Sequence, residues 1–200
     1  MFQVRLHGRG GQGVVTAAEL LSVAAFAEGR HAQAFPSFGS ERTGAPVVSF
    51  CRISDSPIRT REPVTEPDAL VVQDPTLLHQ VDCFSGLRPL GYVLVNSSRT
   101  SEHLGLSELF GRFPPERLLT VPGTELARKH TGRPLPNAAL LGGLAAMTGV
   151  VSLESVSSAI HDRFPGPVAE ANVAAARAAY RMIQGRVSGE IEEAGVGAPA

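Results

Sequence analysis

Short apolar runs alternate with stretches of helical periodicity along the chain, the pattern of an α/β, Rossmann-like and mostly parallel sheet with helices on both faces. The run 2–6, with Val4 and Leu6, reads as the first strand, and a glycine turn from Gly8 to Gly13 follows it. Residues 14–28 read as a helix whose polar stripe is so thin that it must be covered on most sides, by this domain or by a partner. The stretch 31–38 starts extended and then passes Pro36, Gly39 and Gly44, where a helix cannot persist. Strand character returns over 46–53 through Val47, Val48, Phe50 and Ile53, and 56–67 is a polar, proline-punctuated connection. Continuous apolar runs at Ala69–Val72, 92–95 and Leu118–Val121 predict buried parallel strands. Asp74 is placed to cap a short helix that Pro75 begins, and 101–112 predicts loop with helical turns.

The last third predicts helices. Asn137 is placed to cap 138–148 with Gly149 as the stop, and Ser152 to cap Leu153–Arg163. A final helix over 168–184 repeats Val168, Ala171, Ala175, Ala178 and Met182 on one stripe. The helix 138–148 has no solvent face at all, and its Gly142-Gly143 pair costs about 1 kcal/mol of propensity per glycine unless close packing uses the missing side chains. It is therefore expected to be buried, with Gly143→Leu disruptive. The reading is one domain over 1–184, followed by a tail, 185–200, mobile or ordered only by a partner.

With 18 basic against 19 acidic residues spread along the chain, there is no electrostatic footprint for nucleic acid or an anionic membrane. No apolar run is long enough to cross a bilayer and the first residues do not form a secretory leader, so a cytoplasmic protein is expected. Cys51 and Cys83 alone exclude a four-cysteine zinc or iron–sulfur site supplied by this chain, and the six histidines form no short metal-binding spacing. Neither a nucleophile elbow nor a P-loop is present.

The chemistry-bearing candidate is Gly8-Arg9-Gly10-Gly11-Gln12-Gly13, a G-x-G-x-x-G turn between a predicted strand and a predicted helix. One glycine allows the tight turn, another lets a phosphate approach the backbone, a third lets helix and strand pack closely, and the helix N-terminus offers free N–H donors. Arg9 is placed to add a forked donor to an anion. The same glycines equally serve a purely structural or interface turn. A dinucleotide site calls for an acid about 20 residues further on, and Gly29-Arg30-His31-Ala32-Gln33-Ala34 supplies none. The second candidate is the loop 35–46, with two aromatics and the pair Glu41-Arg42 between glycines, read either as a docking surface or pocket wall or as a packed connection.

Four segments in order, RLHGRGGQGVVTAAELLSVAAFAEG, QAFPSFGSERTGAPVVSFCRIS, SPIRTREPVTEPDALVVQDPTLL and NAALLGGLAAMTGVVSLESVSSAIHDRFPG, resemble the gamma subunit of pyruvate:ferredoxin oxidoreductase and related 2-oxoacid:acceptor oxidoreductases. The match runs in register over about 2–181. The resemblance implies a non-catalytic, Rossmann-like subunit that itself holds no cofactor. It implies alpha-, beta- and delta-type partners carrying thiamine pyrophosphate, Mg2+ and 4Fe-4S clusters. The expected overall reaction takes a 2-oxoacid, pyruvate foremost, and coenzyme A to acyl-CoA and CO2, with ferredoxin or a similar electron acceptor. On this reading Gly8, Arg9, Gly10, Gly11, Gln12, Gly13, Glu41 and Arg42 face the rest of the enzyme and help shape the coenzyme A entrance. Set against it are a free-standing dinucleotide-dependent oxidoreductase and a coenzyme A-binding module.

Overall fold

In the first strand, β1 (Phe2–Arg9), Val4 and Leu6 are fully buried on one face while Arg5 and His7 turn to the other, the period-2 alternation that divides the molecule into two layers. The computed structural model describes residues 1–37, 43–106 and 113–188. After β1 come α1 (Val14–Ala27), β2 (His31–Pro36), β3 (Pro46–Ser54), β4 (Ala69–Val72), β5 (Tyr92–Asn96), β6 (Leu118–Val121), α2 (Gly123–Thr131), α3 (Asn137–Thr148), α4 (Leu153–Arg163) and α5 (Gly166–Val187).

The six strands form one sheet in the order β2-β3-β1-β4-β5-β6. β1, β4, β5 and β6 are parallel neighbours, with Val4 opposite Ala69 and His7 opposite Val72. The mostly parallel sheet expected from the sequence is present, and β3 alone is reversed, pairing antiparallel with both β1 and β2. The reason is local. A parallel return needs a crossover of a dozen residues or more, and the nine-residue link 37–45 between β2 and β3, polar and with two glycines, has neither the length nor the pattern for one.

Helical elements cover both faces unequally. The main core joins Val4, Leu6, Val71 and Leu94 of the sheet to α1, α3, α4 and α5. Leu126 of α2 packs against the same layer. On the other face Leu70, Val72, Val93 and Val95 meet Leu77, Cys83, Leu106 and Phe113, carried by 3-10 turns such as Pro75–His79 and by loops. That face also buries Arg5, His7 and Arg52 toward the β1–β3 side.

α3 is buried as expected, with ten of its twelve residues inside. The tightest approach is at Gly142 rather than Gly143: an added Cβ at 142 would overlap the backbone carbonyl of Ala176 on α5, whereas at 143 it would lie 3.1 Å from the Leu94 side chain. α1 buries seven residues and leaves Val23 and Phe26 exposed. Asn137 is the first residue of α3 rather than its cap, and its Oδ1 accepts from the amide of Ala138. α5 runs three residues past the expected end at 184, and Arg186 in its last turn donates to the carbonyl of Thr120 (2.7 Å), occupying part of the β6 edge. From 189 onward the expected tail lies outside the described residues. The sequence gives no sign of α2, whose residues are mostly polar. Its opening is capped from a distance, with Asn96 Oδ1 at the end of β5 accepting from Thr124 N at 3.0 Å.

Candidate functional site: the glycine turn and its neighbouring cavity

The carboxyl ends of β1, β4, β5 and β6 open on one edge of the sheet, where α/β proteins bind ligands. The glycine turn lies on that edge, and three of its glycines have separate physical causes. Gly8 has no room for a side chain, since a Cβ there would come within 2.5 Å of Val14 Cγ2. Gly11 (φ 93°) and Gly13 (φ 76°) adopt left-handed conformations, and a Cβ on Gly13 would also strike Asn137 Nδ2 at 2.8 Å. The amides of Gly11, Gly13 and Val14 donate no hydrogen bond among the described residues, so the N-terminus of α1 keeps its donors free.

Arg9 does not point a free fork at solvent. Its Nε donates to Asp74 Oδ2 (3.1 Å), one terminal nitrogen to Gly44 O (3.0 Å), and the other to Thr76 Oγ1 and Gln80 Oε1 (both 2.8 Å). Gln12 is equally committed, donating to Asp74 Oδ2 (2.9 Å) and accepting from Arg9 N (2.8 Å). Burial favours the neutral acid at Asp74, but hydrogen bonds from Thr76 and Gln12 and the charge of Arg9 outweigh it and hold the carboxyl below its ordinary range. The carboxylate that holds Arg9 in this site is thus Asp74.

The second loop reaches the turn: Gly10 N donates to Ala45 O (2.9 Å), Gly44 N to Gly10 O (3.1 Å), and Gly10 bridges Thr43. This brings the 43–45 segment to the same edge as the turn. Glu41 and Arg42 lie outside the described residues.

Beside the turn is a cavity of about 440 Å³ that draws on five helices. Gly11, Gly13 and Thr16 border it from the start of α1, Asn137 from the start of α3, and Pro167 and Val168 from the first turn of α5. Three helix N-termini therefore converge on one space, together with His130, Arg133 and Arg163, and among the described residues no acid lines it. Two buried amides face it with an unused atom each. Asn137, 6% exposed, has an Nδ2 with no acceptor among the described residues, and Asn172, 8% exposed, uses its Nδ2 on Val168 O and leaves its Oδ1 without a described donor. Phe164, Leu135 and Ala171 supply an apolar wall. Positive charge, amide donors and an apolar flank suit an anion attached to an organic body. A smaller cleft of about 290 Å³ on the other side of α1 shares Gly11, Gly13 and Thr16, so the turn borders both.

Sequence reasoning placed the turn and missed the rest of this cavity. Its residues run from 11 to 172 and mean nothing together until α2, α3 and α5 are packed.

Two other chemistries fit poorly. The strand beside β1 on the β2 side is the reversed β3, which presents Pro46 and Val47 at the carboxyl edge, and β2 carries no acid, so the ribose-binding part of a dinucleotide site has no counterpart among the described residues. Cys51 belongs to the helix-covered core and Cys83 to the opposite one, so the sheet separates the two thiols and they do not fit an iron–sulfur cluster. Burial pushes Cys83 up to about 11, leaving it a neutral thiol near pH 7. The described residues hold no group of three or more metal-ligating side chains, and no described helix is long and apolar enough to cross a membrane.

Comparison with known proteins agrees with this architecture. The family model for pyruvate ferredoxin/flavodoxin oxidoreductase matches residues 3–182. The chain is 47% identical over 184 residues to the pyruvate/ketoisovalerate oxidoreductases common subunit gamma of Pyrococcus abyssi, covering 92% of this chain and 98% of that protein. It is 45% identical to the pyruvate synthase subunit PorC of Methanothermobacter marburgensis, covering 92% and 98%. Among solved structures it resembles pyruvate oxidoreductase subunit PORC of Thermotoga maritima, with a TM-score of 0.74, 35% identity, and 90% and 95% of the two chains covered. A sheet of this order, a glycine turn of this geometry and matches of nearly full length lead to one assignment: the chain belongs to the pyruvate ferredoxin/flavodoxin oxidoreductase family.

Proposed function

We propose that this chain is the non-catalytic gamma subunit of a cytoplasmic, multi-subunit 2-oxoacid:acceptor oxidoreductase, its residues 1–184 forming the α/β domain that docks beside alpha-, beta- and delta-type subunits. The complex takes pyruvate or a related 2-oxoacid and coenzyme A to acyl-CoA and CO2 and passes the electrons to ferredoxin or a similar acceptor. Thiamine pyrophosphate, Mg2+ and 4Fe-4S clusters belong to the partner subunits and carry the bond-breaking and electron transfer. The carrying observation is the near-complete alignment with gamma-type subunits.

This chain's own part is to receive coenzyme A. The turn Gly8, Arg9, Gly10, Gly11, Gln12, Gly13 and the Glu41-Arg42 loop frame the entrance, and the 440 Å³ cavity beside the turn takes the anionic end of the substrate. The free amides of Gly11, Gly13 and Val14 and the guanidinium groups of Arg133 and Arg163 receive phosphate oxygens, while Arg9 fixes the turn from behind.

Arg163→Ala and Arg133→Ala in the intact complex are each expected to raise the KM for coenzyme A by about tenfold, the order expected for one charge-assisted hydrogen bond. The KM for the 2-oxoacid should stay within about twofold, since its site lies in other subunits. Equal changes in both constants, or none in either, would remove coenzyme A from this cavity.

A further inference from the structure

The two oxygens of Asp74 do different work. Oδ1 caps the 3-10 turn Pro75–His79, accepting from Thr76 N (3.0 Å) and Thr76 Oγ1 (2.5 Å). Oδ2 faces the other way and accepts from both Gln12 Nε2 (2.9 Å) and Arg9 Nε (3.1 Å). A cap on a short turn needs only the first. The second joins β4 to the glycine turn across more than 60 residues of sequence, and through Arg9 it reaches the carbonyl of Gly44 as well.

We propose that Asp74 is a positioning residue for the ligand edge: by holding Gln12 and Arg9 together it sets the glycine turn with the Gly11, Gly13 and Val14 amides free, and it locks that turn to the 43–45 segment.

The hydrogen bonds fix the sense of each group. Arg9 N is a donor, so the Gln12 atom facing it is Oε1 and the atom facing Asp74 is Nε2. Two donors meet one carboxylate oxygen that is largely shielded from solvent, with a side-chain exposure of 14% at Asp74 and 23% at Arg9. Arg9 makes four hydrogen bonds to Asp74, Gly44, Thr76 and Gln80, so its charge is neutralised in place and its geometry is transmitted to both loops. Within the turn, ligand binding is left to the backbone amides rather than to Arg9, and their directions depend on the turn and hence on Asp74. The link to coenzyme A rests on the function proposed above; the clamp itself does not.

Asp74→Asn separates the two roles. The remaining carbonyl oxygen can still cap Thr76, while an amide nitrogen in place of Oδ2 sets donor against donor at Gln12 and Arg9. Gln12→Leu cuts the same clamp from the opposite side and leaves the cap untouched. In the intact complex, hydrogen exchange without coenzyme A should accelerate by about tenfold or more in both 8–14 and 43–46 in each variant, an opening cost of one charge-assisted bond. The KM for coenzyme A should rise with little change in that for the 2-oxoacid. Unchanged exchange in both variants overturns the clamp, whatever the kinetics. Faster exchange with an unaltered KM for coenzyme A leaves the clamp standing and rejects the coenzyme A reading instead.

Discussion

Gly142→Ala is expected to be the most damaging single-methyl change in the helical layer. The added Cβ would sit 2.6 Å from the carbonyl carbon of Ala176 and closer still to its oxygen. Both are α5 backbone atoms and cannot rotate away. α3 and α5 would have to separate, opening a core that contains Leu141, Leu144, Ala175 and Ala179. Overpacking of this kind costs about 3 kcal/mol, which in a chain of this size lowers Tm by roughly 6–12 °C. Gly143→Ala is the control. Its Cβ would meet the tips of the Leu94 and Ile183 side chains at 3.1 and 3.4 Å, contacts that can yield, and it gains about 1 kcal/mol of helix propensity, so it should be nearly neutral. Thermal unfolding of the two variants side by side decides this. Similar Tm values would mean that the helices do not touch at 142.

The second large effect is acid destabilisation through His7. The imidazole is 7% exposed, its Nε2 has no hydrogen-bond partner among the described residues, and burial, reinforced by the charge of Arg5, lowers its pKa to about 4. In the unfolded chain the ordinary value is about 6.5. Above that pH neither state binds the proton, and His7 contributes no pH dependence. As pH falls from about 6.5 toward 4, the unfolded chain takes up a proton that the folded chain refuses, so stability drops, by about 3 kcal/mol at the lower limit. His7→Leu should remove this component, because a leucine fits beside the cross-strand neighbours Val48 and Val72 and does not titrate. Urea unfolding of both proteins at several pH values gives the slopes. Parallel curves for wild type and variant between pH 6.5 and 4 would show that His7 is accessible to protons in the folded state.

What the sequence made legible follows from how local each signal is. β4, β5 and β6 are short apolar runs, and α3 and α4 carry stops or caps within a few residues, so their places could be read directly. The reversal of β3 was not written in its own residues, which suit either direction; it follows from the absence of a crossover before it. α2 was invisible because its opening donor is satisfied by Asn96, from another element. At the site, the strand–turn–helix context identified the glycine turn, but the fate of Arg9 depended on Asp74, Thr76 and Gln80, none near it in sequence. An arginine in a glycine loop reads as a ligand donor until its partners are known. Asn137 was read as a helix cap, and only the packing of α3 against the start of α1 shows it facing the cavity.

On the proposed function, this chain works as one subunit among several and contributes a coenzyme A-facing surface to chemistry done elsewhere. The direct measurement is to isolate the native protein under anaerobic conditions through a tag on this chain, identify what comes with it by mass spectrometry, and assay the product for pyruvate-driven reduction of ferredoxin with and without coenzyme A. The expected result is recovery of larger thiamine pyrophosphate- and cluster-binding polypeptides, in a complex whose turnover depends on coenzyme A and weakens when Arg163 is replaced by alanine. Recovery of the chain alone as a stable homo-oligomer, with saturable binding of NADH or FAD, would contradict it.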